Sequence, residues 1–395
     1  MIYSRPSLLP SFLKFGLLAA FLIILFTLST YTPTPSFPLR QSSYTTTEDA
    51  CPLPLHYAGY VDASTDTYHT NPGPICPNMT TPFTSLPIHL ENLRNKTLAL
   101  YGDSVTRFFM SHICETYNGT VTLNSTLTPH GLNVADPHHQ SVHTCEVPSL
   151  GLKMYNTYIM GLREWQNDTI DREFTRHHPT FHFNEDPTVW RYQNRIQLVE
   201  DMVRDTFPDV DAVVLGTGVW DVVDVTQRML QAFIEQQHPQ TPEAHEEWLQ
   251  PYRQRLRDFI RFAHSLHTPP TPGKTQGRLK KIFFLSLHDL DQVRVGGDWK
   301  NWQMHGFSDE WKEKAEFSPI HEDRVRSIRI AQMQVVEEER ERFRREGWRG
   351  ELEMLPYEMW VKAVRYQERL SDVVHPAEKM NKWAALGLAM AARGL

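Results

Sequence analysis

The sequence predicts an α/β fold, a parallel sheet covered by helices on both faces. Three observations predict it. Short apolar runs recur from Lys96 onward, and helical patterns with apolar residues three and four apart lie between them. The composition, 40% hydrophobic and 22% charged, is that of a globular chain. Parallel neighbours need long crossovers, and helices serving as crossovers lie on the sheet faces.

The elements are read in chain order. No charged residue occurs from Phe15 to Leu28, Arg5 and Lys14 precede this run, and the first acidic residue is Glu48. A positive flank followed by an apolar core is a secretory targeting pattern. It reads either as a signal peptide cleaved near Ser29, or as an anchor extending to Tyr31, close to the about 20 residues that span a bilayer. The expectation is an anchor over residues 1–31, with the rest of the chain lumenal in the Golgi or ER. Cleavage would give a secreted protein. Residues 32–90, rich in Pro, Thr and Ser, read as a stalk whose later part folds against the domain. Residues 91–395 read as that domain.

Five sequons follow the apolar run, at Asn78, Asn95, Asn118, Asn124 and Asn167, and are candidate glycosylation sites. The four cysteines, Cys51, Cys76, Cys114 and Cys145, form an even set without a CxxC pair. An oxidising lumen allows three pairings, of which Cys51–Cys76 with Cys114–Cys145 is the most local. No zinc spacing occurs, and no metal or cofactor is expected. A mean hydropathy of −0.46 excludes a multi-span membrane protein. A net charge of −7 argues against a nucleic-acid partner, which calls for a basic face.

Thr97–Tyr101, Lys153–Met160, Ala212–Leu215, Lys281–Leu287 and Leu352–Leu355 read as strands. One helix carries Tyr192, Ile196, Val199 and Val203, and another Tyr252, Leu256, Phe259, Ala263 and Leu266. A third, Arg324–Arg345, ends in a charged run that reads as a solvated face. Pro376, fit for a first helical turn, opens a last helix over Ala377–Arg393.

The chemistry begins where the first of these strands runs into Gly102-Asp103-Ser104 and then a helical pattern. A strand–turn–helix of this kind sets Ser104 at a strand's carboxyl end and a helix N-terminus, where N–H groups and the helix dipole favour an anion. Ser104 reads there either as an acyl-transfer nucleophile with half of an oxyanion hole, or as an N-cap. Near the C-terminus, Asp372-Val-Val-His375-Pro376 directly precedes the last helix. A nucleophilic serine needs an imidazole base and an orienting carboxylate, and this loop supplies both residue types.

Together, the Gly-Asp-Ser turn at the start of the domain and Asp-x-x-His-Pro at its end resemble the GDSL/SGNH hydrolase superfamily. The arginine of Gly102-Asp-Ser-Val-Thr-Arg107 resembles that superfamily's PC-esterase branch, which includes plant trichome-birefringence-like and fungal capsule polysaccharide O-acetyltransferase proteins. The block Asp209–Asp221, with Gly216-Thr-Gly-Val-Trp220, is similar to that branch's Asn-Thr-Gly-x-Trp-like strand end. The resemblance implies an SGNH-type three-layer α/β/α sandwich. It implies Ser104 as nucleophile, His375 as base, Asp372 as its orienter, and the Ser104 and Gly161 N–H groups as oxyanion donors. Gly216 stands where the family has an asparagine, so no side-chain amide is supplied there, and a backbone N–H of the Gly-Thr-Gly turn is the candidate replacement. Arg107, Trp220 and Asp221 become candidate substrate-binding residues. The implied activity is O-acyl transfer, chiefly O-acetyl, to or from a glycan through an acyl-serine. The implied partners are a glycan, an acyl donor and the membrane through the N-terminal helix. The alternative is a non-catalytic lumenal glycan-binding protein.

Other clusters read more plainly. His138, His139, His143 and Cys145 lack fixed ligand spacing and read as a polar loop. Gly216-Thr-Gly218 lacks nucleotide-loop spacing and reads as a strand-end turn. His288-Asp289, after the strand at 281–287, is a second base–acid candidate at the same sheet edge, and Gly296–Trp302 reads as a rim loop.

Overall fold

The computed structural model describes residues 55, 59–71, 80–124, 142–159, 161–162, 196, 199–200, 209–235, 239–268, 278–290, 321–364 and 378–395. All of them belong to one compact unit, Leu53–Leu395. The apolar N-terminal run, Cys51, Cys76, Asn78, Asn167, Asp372 and His375 lie outside the described residues. Among the described residues no helix is long and apolar enough to cross a membrane.

The body is a seven-stranded sheet. In chain order its strands are β4 (Thr97–Gly102), β5 (Thr120–Asn124), β6 (Val142–Val147), β7 (Leu152–Tyr158), β8 (Ala212–Gly216), β9 (Lys281–Leu285) and β10 (Glu351–Leu355). Their spatial order is β10-β9-β8-β4-β7-β6-β5. The five strands from β10 to β7 are mutually parallel, while β6 and β5 add an antiparallel edge. β8 (AVVLG) and β9 (KIFFL) are buried along their whole length, so they read as unbroken apolar runs rather than alternating ones. Numbered in chain order, the parallel strands run 2-1-3-4-5. That is a doubly wound order, whose crevice opens beyond the carboxyl ends of the first and third strands, here β4 and β8.

The helices are α1 (Leu86–Leu90), α2 (Ser104–Thr116), α3 (Val219–Ile234), α4 (Glu246–His267), α5 (Glu322–Arg345), α6 (Tyr357–Ala363) and α7 (Glu378–Ala391). Tyr101 of β4 reaches His267 of α4, whereas a Cβ on the next residue, Gly102, would point at Thr106 of α2. Successive strand residues face opposite ways, so helices cover both faces. α2 and α7 share a direction. The last turn of α7 meets the start of β9, through Lys281 Nζ donating to the Ala391 carbonyl at 2.8 Å. Asn381, in its first turn, accepts from the Tyr357 hydroxyl beyond the carboxyl end of β10 at 3.0 Å.

One feature was not evident from composition. Within the Pro/Thr/Ser-rich stretch, β1 (Gly59–Asp62), β2 (Thr67–Thr70) and β3 (Thr80–Pro82) form an antiparallel sheet. Tyr68 and Phe83 from this region pack on Trp383 of α7, and Lys382 pairs with Asp66 at 2.6 Å. Cys114 of α2 is disulfide-bonded to Cys145 of β6 across 31 positions, a loop whose closure stabilises the fold by about 3–4 kcal/mol. Asn95 and Asn118 are exposed in turns at φ 56° and 57°, a region asparagine tolerates.

Burial also sets a pH dependence. The His267 ring, with Nε2 2.8 Å from the Tyr101 hydroxyl, is pushed down to about 4 by desolvation. Unfolded, it titrates near 6.5, so between about pH 6.5 and 4 the unfolded chain binds more protons and stability falls as pH falls. The group's expected share is about 3 kcal/mol across that window. His267→Gln keeps an acceptor for Tyr101 without titrating, so its urea midpoint should depend less steeply on pH there than the wild type's. Equal slopes would mean that His267 is not held neutral.

Candidate active site

The site is built at the crevice beside β4. Asp103, extended at φ −81° and ψ −164°, caps α2 by accepting the Val105 N–H at 3.0 Å. Ser104 is therefore not the cap but the first helical residue, half-buried, at the dipole's positive end. That hydrogen bond gives the capping role to Asp103 rather than Ser104.

On one side of β4 lies the end of β7. The Ile159 N–H donates to the Gly102 carbonyl at 2.7 Å and extends the parallel pairing past Tyr158. Gly161 then turns at φ +67°, with its N–H donating to the Ile159 carbonyl at 3.1 Å. The Gly161 N–H, expected as an oxyanion donor, is engaged by that carbonyl.

On the other side, Gly216 is the register partner of Gly102. A Cβ built on either glycine would lie 2.2 Å from Thr106 Oγ1, so the Thr106 side chain occupies the space both glycines leave. A larger residue at 216 would have to displace the Thr106 hydroxyl. Thr106 is completely buried, and a cavity of about 10 Å³ beside it is also lined by Asp103, Gly216, Thr217, Ser286 and His288. This is room for about one water molecule.

Asp221, a candidate substrate contact in the sequence, is 1% exposed. Its carboxylate accepts from the Leu162 N–H at 2.8 Å and from the Thr217 hydroxyl, joining the loops after β7 and β8. Desolvation outweighs these hydrogen bonds and the nearby Arg255, and raises the carboxyl above its ordinary range. Trp220 is half-buried beside it, at the start of α3. The half-buried Arg107 lies over the rings of Phe108 and Tyr158, at 5.3 and 5.8 Å from their centroids, and so ties α2 to the end of β7.

Several groups at the site carried no motif. Gln332 of α5 is fully buried. Its amide donates to the Thr217 carbonyl at 2.9 Å and the Tyr252 hydroxyl at 3.0 Å, and its oxygen accepts the Leu287 N–H at 2.9 Å. The available signal was position, since Gln332 interrupts the apolar stripe of Val325, Ile328 and Val336. Ser286 donates to Glu358, whose carboxyl burial raises despite Arg329 nearby.

His288 packs edge-on against Tyr357 at 5.5 Å. The adjacent Asp289 is paired with Arg329 and with Lys362 at 3.0 Å. Burial opposes its ionisation, but these two cations outweigh burial and hold the carboxyl low. Asp289 is thus committed to cations.

Among the described residues no group of three or more potential metal ligands occurs. Cys145 is held in its disulfide, and His143 lies in β6. His138, His139, Trp299 and Trp302 lie outside the described residues. The sequence matches no protein-family model and no curated protein.

Proposed function

We propose that this protein is a serine-dependent O-acyltransferase, with acetyl as the group moved and a glycan hydroxyl as the acceptor, built on an SGNH-type sandwich. The observation that carries the reading is the position of Ser104. It begins α2 at the switch point of a 2-1-3-4-5 sheet, with Asp103 doing the capping. The direction of α7 supports the rest of the triad. Its first turn meets Tyr357, which lines the same cavity as Asp103, and in the chain Glu378 follows His375 by three residues.

In the proposed reaction His375, oriented by Asp372, takes the Ser104 proton as Oγ attacks the acyl carbonyl. The donor's leaving group departs with that proton, which leaves an acyl-serine. A sugar hydroxyl then attacks, again deprotonated by His375, and Ser104 recovers the proton as the new ester leaves. Water in place of the sugar makes the enzyme an esterase. The apolar N-terminus, the sequons and the disulfide support a lumenal setting, and glycan-rich secretory compartments supply such acceptors. Gly216, whose side-chain space Thr106 fills, favours the second reading of a glycan binder without catalysis, because it supplies no side-chain amide for an oxyanion.

The test is incubation of the purified protein with acetyl donors and candidate polysaccharides, with products weighed by mass spectrometry. Acetylated glycan is expected from the wild type and not from Ser104→Ala. Release of free acetate alone identifies the esterase, and glycan binding without turnover the second reading.

A further inference from the structure

Asp221 takes no part in the proposed triad, yet it lies buried between the two loops that flank Ser104. We propose that Asp221 is a positioning residue that latches the loops after β7 and β8 across the carboxyl end of β4, keeping the Ser104 turn in its reactive geometry. The inference rests on the reading of Ser104 as nucleophile.

The geometry supplies the latch. β4 lies between β7 and β8, with Gly102 opposite Tyr158 on one side and Gly216 on the other. Each loop leaves the sheet next to Ser104. One Asp221 oxygen takes the Leu162 N–H at 2.8 Å and the other takes the Thr217 hydroxyl, so a single side chain spans both loops. Gly161 sits directly on this latch, since a Cβ there would lie 3.0 Å from Trp220 Cβ and 3.4 Å from Asp221 Oδ1. Gln332 holds the Thr217 carbonyl from the far side at 2.9 Å, so that loop is fixed at two points and the Leu162 loop at Asp221. A buried carboxylate is expensive, and its two oxygens here each satisfy a donor from a different loop. A reacting group displaced by about 1 Å loses about a hundredfold in rate, which sets the expected effect.

The experiment compares wild type, Asp221→Leu, Asp221→Asn and Thr217→Val by fluorophosphonate labelling rate and by p-nitrophenyl acetate turnover, per folded molecule. Leucine removes both links and should lower kcat about a hundredfold, with KM changed less than about twofold. Asparagine can accept from Leu162 and donate to the Thr217 oxygen, and should recover activity to within about threefold of wild type. Valine at 217 breaks one link and should cost about tenfold. Labelling of folded Asp221→Leu at the wild-type rate would overturn the latch. If that variant does not fold, an unchanged rate in Thr217→Val overturns it instead. A folded wild type that neither labels nor turns over removes the serine reading, and this inference with it.

Discussion

Under the proposed reaction, Ser104→Ala is expected to lower acyl-transfer turnover by about 10⁶ while leaving the protein folded, because it removes the atom that would carry the acyl group. His375→Ala should cost a similar factor and Asp372→Ala less, about 10⁴, since a triad acts as a unit whose orienter is its least costly member. The structural cost of Ser104→Ala should be small. The serine is half-buried at the first helical position, and the cap belongs to its neighbour. A melting shift corresponding to about 0.5 kcal/mol is expected, against about 1 kcal/mol for Asp103→Ala, which removes the hydrogen bond to Val105. Turnover of p-nitrophenyl acetate and thermal melts on the same preparations separate the two effects. A Ser104→Ala protein that is folded and still turns over would assign the chemistry elsewhere.

The second large effect concerns the paired glycines. Gly216→Ala should destabilise by about 1–3 kcal/mol through overpacking, because its Cβ would lie 2.2 Å from Thr106 Oγ1. That obstacle is a side-chain atom. Thr106→Ala removes it and leaves Thr106 Cβ at 3.5 Å, an ordinary contact, so the double variant should recover most of the loss. Gly102→Ala should not be rescued. Its Cβ would also lie 2.2 Å from the Gly216 carbonyl oxygen and 2.9 Å from Thr106 Cβ, neither of which the second substitution moves. A double-mutant cycle by urea denaturation measures the difference. Additive losses for the 216/106 pair would show that Thr106 does not fill the glycine's space.

How much of this was legible in the sequence follows from how local each signal is. β4, β8 and β9 were readable as apolar runs because they are buried almost throughout, β7 and β10 from shorter apolar stretches, and the observed bounds of all five differ by only a residue or two. β5 (TVTLN) is the polar edge strand and β6 (VHTCEV) pairs between it and β7, and neither reads as an apolar run, so only tertiary pairing identifies them. The threonines of β2 (TYHT) and β3 (TTP) looked like stalk because threonine serves both linkers and strands. α3 was hidden behind a turn signal, as its opening VWDVV has no clear helical period.

The candidate site divides the same way. Gly-Asp-Ser is a local strand–turn–helix signal, and the structure has that turn, with Asp103 rather than Ser104 as the cap. Asp221 stood in a motif but was given the wrong surroundings. Its partners, Leu162 and Thr217, come together only when β7 and β8 flank β4. Gln332 lies 115 positions from the Thr217 carbonyl that it holds, and no local pattern encodes such a pairing.

The most direct measurement is covalent labelling of the folded protein with a fluorophosphonate, followed by peptide mapping of the adduct. A nucleophilic serine at this strand end predicts one adduct on Ser104, absent in His375→Ala. An adduct on Ser286, beside His288 and Glu358 in the same cavity, or no adduct on the folded chain, would contradict it.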